Sequence, residues 1–152
     1  MANKNEEIID SPTGWVAKHI RTYVESGGTE GQKYAGRDLL LLTTRGRKSG
    51  KLRRTALYYG VDNGRYILIA SNGGSPKHPL WYLNLQEEPK VEVQVGPEVF
   101  SAVARPATEK EKPRLWEMMV SIFPNYAAYQ KKATRDIPVV VVERSNKPGS
   151  TE

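Results

Sequence analysis

Residues 38–61 read DLLLLTTRGRKSGKLRRTALYYGV, and how this stretch divides decides the fold. Residues 38–44 are a short, almost unbroken apolar run, which predicts a strand buried on both faces. Residues 55–61 are aromatic and β-rich and predict a second strand. Between them, Gly46 and Gly50 are placed to turn the backbone, so the two strands read as neighbours joined by a basic turn. Asp62-Asn63-Gly64 follows as a strong hairpin signal, and residues 65–71 supply a third strand.

Working outward from these strands, residues 72–76 (NGGSP) read as a loop and 79–86 as a short helix. Residues 90–95 and 98–104 alternate around Gly96-Pro97, which predicts a hairpin. Thr108-x-x-Glu111 is a candidate capping box. Pro113 would be awkward deep inside a helix, so that helix is expected to begin near Lys112. Phe123-Pro124-Asn125 breaks it, residues 126–135 form another short helix, and 137–142 a last core strand. Upstream, Ser11-Pro12 reads as a helix start, Val16, Ile20, Tyr23 and Val24 share one helical face, and Gly27-Gly28 ends the pattern.

The resulting class is α+β, a mainly antiparallel sheet or small barrel with helices packed outside. A doubly wound parallel sheet would need alternating strands and helices and a glycine-rich fingerprint after the first strand, and neither occurs. Residues 11–144 form one domain, flanked by flexible ends at 1–10 and 145–152.

Composition removes several chemistries. The chain of 152 residues has no cysteine and two histidines, His19 and His78, which excludes thiolate catalysis and disulfides and makes a histidine-rich metal site improbable. No run approaches the roughly 18 apolar residues of a membrane-spanning helix. The first ten residues lack the parts of a secretory signal, so the cytoplasm is the simplest compartment. Six of the 23 Lys and Arg fall in residues 45–54, which hold no acid; the 17 left equal the 17 Asp and Glu. The whole excess of +6 therefore sits in one turn. A diffuse basic surface suits general polyanion binding; a concentrated one marks a local anion site.

That turn can present backbone N–H groups to an anion, with Lys48 and Arg53 adding charge and bidentate capacity. Phosphate or a multi-carboxylate tail is the matching ligand, and a solvated hairpin tip is the alternative. The turn departs from a Walker A loop, since Gly50-Lys51 continues with Leu52. Ala70-Ser71-Asn72-Gly73-Gly74 leaves a strand with small residues that let a flat ligand approach the backbone, or is only a loop. Leu80, Leu83 and Asn84 share a face of the helix after His78-Pro79, and helix packing accounts for them equally well. His78 itself reads as exposed or capping. Tyr126 and Tyr129, three apart, point to one side as core, pocket wall or proton donors. With no paired carboxylates and no Ser–His–Asp arrangement, an enzyme of this composition needs a cofactor for its chemistry.

The strings LLLLTTRGRKSGKLRRTALYY (39–59), ASNGGSPKHPLWYLNL (70–85), PKVEVQV (89–95) and FPNYAAYQKKATRDIPVVVVE (123–143) closely resemble the deazaflavin-dependent nitroreductase family of actinobacteria, from about Ser11 to Glu143. The resemblance implies a split β-barrel like that of FMN-binding oxidoreductases, and as cofactor coenzyme F420, a deazaflavin carrying a phosphate and an oligoglutamate tail. It places Arg47, Lys48, Ser49, Gly50, Arg53 and Arg54 on the phosphate and tail. Ala56, Ile69, Ser71, Asn72, Leu80, Trp81 and Asn84 match positions lining the deazaflavin, and Tyr58, Ser71, Tyr126 and Tyr129 positions around the substrate. Phe123 stands where the nitroimidazole-activating member has tyrosine, and Asn72 where it has lysine. These departures point away from bicyclic nitroimidazoles and leave cofactor binding untouched.

The implied reaction is hydride transfer to a small-molecule electron acceptor such as a quinone, an activated alkene (enone) or a nitro compound, followed by protonation. An FMN-binding reductase on the same barrel and a single-stranded nucleic-acid-binding module are the rivals. The second is disfavoured because the rest of the chain is charge-neutral and offers no track for a backbone, so no nucleic acid is expected. Trp15, Val16 and Ile20 with Lys18 and Arg21 fit either a helix packed over the pocket or one lying on a membrane surface. A monomer or weak homodimer is expected.

Overall fold

The computed structural model describes residues 6–12 and 14–145. Among them, nine strands and four helices follow in the order β1 (Ile8–Asp10), α1 (Gly14–Glu25), β2 (Lys33–Tyr34), β3 (Arg37–Arg45), β4 (Leu52–Tyr58), β5 (Gly60–Asp62), β6 (Arg65–Ile69), α2 (Leu80–Glu87), β7 (Lys90–Val95), β8 (Glu98–Pro106), α3 (Lys112–Ile122), α4 (Asn125–Lys132) and β9 (Val139–Arg144). The sheet runs β1-β4-β3-β7-β8-β9-β6-β5, with β2 added on β3. Every pairing is antiparallel except β1 on β4. The path is open, so the class is α+β with a mostly antiparallel sheet that does not close into a barrel. At its far end β5 pairs only with β6, and α3 lies against it. A methyl group on Gly60 would meet the Met119 sulfur at 2.7 Å.

The buried apolar runs serve two cores at once, because successive side chains on a strand point to opposite faces. Leu40 and Leu42 of β3, Leu68 of β6 and Val140 and Val142 of β9 meet Val91, Val93, Phe100 and Ala102 on the inner face, which α2 covers with Tyr82 and Leu85. Their neighbours point outward: Leu39 and Leu41 pack against Ile20 and Tyr23 of α1. Ile67, Ile69, Val139 and Val141 pack against Leu115 and Met119 of α3 and Tyr126 of α4. Removing a fully buried Val or Leu side chain from water stabilises by roughly 1.5–3 kcal/mol, so this double burial specifies the register strongly.

Local signals account for most element boundaries. Asn63 and Gly64 both take positive φ (52° and 75°) between the paired residues Asp62 and Arg65, the geometry of a two-residue type I′ hairpin. The capping box forms: Thr108 N–H donates to Glu111 Oε1 at 2.9 Å and Glu111 N–H to Thr108 Oγ1 at 3.2 Å. The regular helix α3 starts only at Lys112, which puts Pro113 in its first turn. The fully buried Tyr23 ties α1 to the sheet. Its hydroxyl donates to the Leu39 carbonyl at 3.1 Å and accepts from Gly96 N–H at 2.6 Å.

Several boundaries differ from the sequence reading: the strand expected over 65–71 ends at Ile69, the helix over 126–135 ends at Lys132, and the strand over 137–142 begins at Val139. The expected strand 55–61 begins earlier and breaks at Tyr59, giving β4 and β5. The first helix starts at Gly14, not at Ser11-Pro12. Residues 8–10, expected in a flexible end, pair with Leu52, Arg53 and Arg54 as β1. Their order rests on ion pairs that no local pattern shows: Glu6 with Arg45, and Asp10 with Arg54 at 2.5 Å. Ser145 N–H bonds the Ser101 carbonyl at 2.9 Å, and residues 1–5 and 146–152 of the expected flexible ends lie outside the described residues. No helix among the described residues is long and apolar enough to cross a membrane. On α1, Ile20 is fully buried and Val16 packs on the same core, while Trp15 stacks on Tyr34 with ring centroids 4.1 Å apart.

Candidate functional site

A cleft of about 790 Å³ opens between the β3–β4 turn, the loop after β6 and the first turn of α2, with β1 along one side. That volume is within the range of small-molecule and cofactor sites. The turn is closed by Gly46 N–H to the Lys51 carbonyl at 2.7 Å and Gly50 N–H to the Gly46 carbonyl at 2.8 Å. Gly50 has φ +72°, a left-handed conformation that favours glycine. At Gly46 a Cβ would come 2.8 Å from Ser49 Oγ and 3.1 Å from the Lys51 carbonyl oxygen, so a side chain there would crowd the turn.

Asn84 pins this turn to α2. Its side chain is buried, its Nδ2 donates to Thr44 Oγ1 at 3.1 Å, and its Oδ1 accepts from Arg47 N–H at 3.1 Å. The six cations of the segment then divide into two groups. Arg45 and Arg54 are spent on Glu6 and Asp10. Arg47, Lys48, Lys51 and Arg53 are exposed and form no salt bridge among the described residues. Four uncompensated cations on a rigid turn beside a cleft raise the local potential for an anionic ligand.

The opposite wall is the loop 70–79. Asn72, Gly73 and Gly74 form a single 3-10 turn in which all three φ values are positive (47°, 63° and 81°). Asn72 Nδ2 donates to the Lys77 carbonyl at 2.9 Å. Gly74 is the point of closest approach to α4: a Cβ there would lie 2.8 Å from the Tyr129 carbonyl oxygen. Trp81 and Leu80 stand at the cleft, and Leu80 is 73% exposed, an apolar side chain available to a ligand.

Nine residues named from the sequence as cofactor contacts line this one cleft: Arg47, Lys48, Ser49, Arg53, Arg54, Asn72, Leu80, Trp81 and Asn84. Gly50 belongs to the turn and gives its carbonyl to Arg45 Nη1 at 2.9 Å. Ala56 and Ile69 do not line it. The alternation of β4 and β6 turns Ala56 into the core under α1 and Ile69 into the core under α3 and α4. The Ser71 carbonyl accepts from Arg135 Nη2 at 2.9 Å, and Ser71 also lies outside the lining.

The predicted substrate tyrosines gather outside the cleft lining around Phe123. Its ring centroid lies 5.1 Å from that of Tyr58, 4.9 Å from Tyr126 and 6.2 Å from Tyr129. Arg37 sits over the Phe123 ring at 4.8 Å and is fixed by donating from Nε to the Ile122 carbonyl at 2.9 Å. Burial pushes the Tyr58 phenol up, against the lowering effect of Arg37. Tyr126, 5% exposed, is pushed far above the usual phenol range, chiefly by burial. Both hydroxyls therefore stay protonated at neutral pH, as neutral phenols able to donate a hydrogen bond.

Sequence reasoning missed Arg37, Arg135 and the acids of the N-terminal segment. Arg135 reaches Ser71, Ser75, Lys77 and His78, 57 to 64 residues back along the chain. Such long-range partners leave no local signal.

Residues 15–144 match the family model described as F420H(2)-dependent quinone reductase. An F420H(2)-dependent quinone reductase of Mycobacterium tuberculosis (strain H37Rv) is 38% identical over 130 residues, covering 83% of this chain and 87% of the relative. A solved F420-H2 dependent reductase is 44% identical with a TM-score of 0.64, covering 69% of this chain and 93% of its own. A structure described as a domain-swapped dimer is 42% identical with a TM-score of 0.67, covering 88% and 100%.

Proposed function

Because the chain belongs to the F420H(2)-dependent quinone reductase family, we propose that the cleft between the basic turn and α2 is its coenzyme F420 site and that the aromatic cluster around Phe123 receives the acceptor. The protein is an oxidoreductase that uses reduced F420 and reduces quinones. The observation that carries the site assignment is that Arg47, Lys48 and Arg53, on the turn that Asn84 holds in place, line the cleft and form no salt bridge among the described residues. This donor set fits the cofactor: guanidinium and ammonium groups for a phosphate and several carboxylates, and an apolar platform of Leu80 and Trp81 for a flat heterocycle.

When bound, the cofactor supplies a hydride. The chain's own part is to bind, orient and protonate. Arg47, Lys48 and Arg53, with the turn's N–H groups, hold the anionic end. Arg54 reaches the same cleft already paired with Asp10, and its role is to anchor β1 along the rim. Asn72 and the small residues of the 3-10 turn meet the polar edge of the ring. Tyr126 and Tyr58, kept as neutral phenols by burial, donate a hydrogen bond or proton to a reduced carbonyl oxygen, which stabilises developing negative charge. Enones and some nitro compounds are further acceptors on the same chemistry.

We also infer that the sheet is a curled split barrel, since residues of β3, β6, β7, β8 and β9 share one inner core. Fluorescence titration with oxidised F420 beside FMN tests the site. Micromolar or tighter binding of F420 alone, with oxidation of its reduced form by a naphthoquinone, is the expected result. Binding of FMN alone would overturn the cofactor assignment. Binding of neither, together with salt-sensitive binding of an oligonucleotide, would overturn the oxidoreductase reading.

A further inference from the structure

The guanidinium of Arg135, on the connection between α4 and β9, is consumed by the loop that forms one wall of the cleft. Nε donates to the Ser75 carbonyl at 3.0 Å, and Nη2 to those of Ser71 at 2.9 Å and Lys77 at 3.2 Å. Nη1 donates to Nδ1 of His78 at 3.1 Å and, more weakly, to the Ala70 carbonyl at 3.4 Å. These five partners take up all the N–H donors of the arginine, with Nη2 sharing the Ala70 carbonyl at 3.4 Å, and none of them is an acid.

The bond to His78 has a chemical consequence. Arginine has no lone pair to offer and does not deprotonate in a protein, so Nδ1 of His78 must be the acceptor. An imidazole accepting at Nδ1 is neutral and carries its proton on Nε2. Burial and the neighbouring Arg135 charge both hold the His78 pKa below its ordinary value, in agreement with that state. Nε2 has no partner among the described residues and is not buried, and His78 lines the cleft close in sequence to Leu80 and Trp81.

We propose that Arg135 fixes His78 as its neutral Nε2–H tautomer, and that His78 thereby presents an uncharged hydrogen-bond donor to a ring carbonyl oxygen of the bound deazaflavin. Arg135 is then a positioning residue, which acts through His78 and the loop carbonyls. The second half rests on the F420 reading of the cleft; the first half does not. A neutral donor suits this place, because Arg47, Lys48 and Arg53 of the turn already serve the anionic end of the ligand.

Two measurements test this on the full-length protein. In the ligand-free protein labelled with nitrogen-15 at histidine, His78 is expected to show a protonated Nε2 and an unprotonated Nδ1 at neutral pH. Arg135→Gln should convert this to a mixture, whereas Arg135→Lys, which keeps one cationic donor, should retain part of the bias. A mixed tautomer in the wild type would overturn the assignment. Titration with F420 and with its deazaflavin–ribityl fragment, which lacks phosphate and tail, then locates the contact. His78→Phe should weaken both by the same factor, about three- to tenfold, the worth of one neutral hydrogen bond. His78→Gln, which places an amide N–H near the same position, should lose less. A His78→Phe loss for F420 but not for the fragment, or a shift of the wild-type Nε2 signal on adding inorganic phosphate, would move the contact to the phosphate and overturn the ring assignment. Unchanged affinity in His78→Phe with normal wild-type binding would overturn this inference alone. Failure of the wild type to bind F420 would remove the cofactor reading with it.

Discussion

Replacing Lys48 and Arg53 together by alanine separates an anion site from a solvated turn. Both side chains are exposed and unpaired among the described residues, so the substitution removes no structural ion pair. A hydrogen bond to a charged group is worth roughly 1.5–3 kcal/mol, and solvent screening at an exposed site cuts this to about 1 kcal/mol per residue. Two such losses come to about 2 kcal/mol, or roughly thirtyfold in the F420 dissociation constant at about 1.4 kcal/mol per tenfold. Fluorescence titration at low and high salt reads the effect. Wild-type affinity should fall as added salt shortens the screening length from about 10 Å at 0.1 M toward about 3 Å at 1 M, and the variant should fall less steeply. Thermal stability should stay within about 2 °C, because exposed substitutions of this kind rarely exceed about 0.5 kcal/mol. Undiminished affinity with an unchanged salt dependence would refute the reasoning and put the anion site elsewhere.

Four further outcomes follow from the same geometry. Asn84→Ala leaves the buried Thr44 hydroxyl without its donor and frees the Arg47 N–H, so urea unfolding should show a loss of about 1–3 kcal/mol alongside weaker F420 binding; a loss below about 0.5 kcal/mol would mean the turn is held by something else. Gly74→Ala combines a positive φ with a Cβ 2.8 Å from the Tyr129 carbonyl, and should cost about 2–3 kcal/mol in denaturant titration while lowering quinone turnover; wild-type stability would show that the loop and α4 part easily. Tyr126→Phe should lower kcat more than it raises the F420 dissociation constant, and identical steady-state kinetics would assign that tyrosine to packing. Asp62 is held at about 2, below its ordinary 3.8, chiefly by hydrogen bonds from Arg114 and then Arg65. Its contribution to stability is therefore complete above about pH 4 and is lost as pH falls toward 2. Asp62→Asn should flatten that acid limb of the thermal-stability profile, and an unaltered limb would point to other carboxylates.

Much of the fold could be read from local pattern. The LLLL run predicted a strand buried on both faces and the VVVV run a core strand, and each supplies alternate side chains to two cores. Asp62-Asn63-Gly64 and Gly96-Pro97 marked hairpins through backbone preferences that act within four residues. The basic turn was legible for a different reason: a charge imbalance confined to ten residues is visible without knowing the fold.

Other features depend on which distant residues meet. Ala56 and Ile69 were expected at the cofactor, but which face of a strand looks onto the cleft is settled only when helices cover the other. Residues 6–10 looked mobile in sequence and are held by carboxylates meeting Arg45 and Arg54 some 40 residues away. The sequence by itself determined most of the elements, the mainly antiparallel class and the concentration of the net charge in one turn, all of which follow from short-range periodicity, turn stereochemistry and local composition. Only the tertiary structure decided that Arg45 and Arg54 pair with Glu6 and Asp10, which side chains reach the cleft and what Arg135 does with its five donors, because those depend on contacts between residues far apart in the chain.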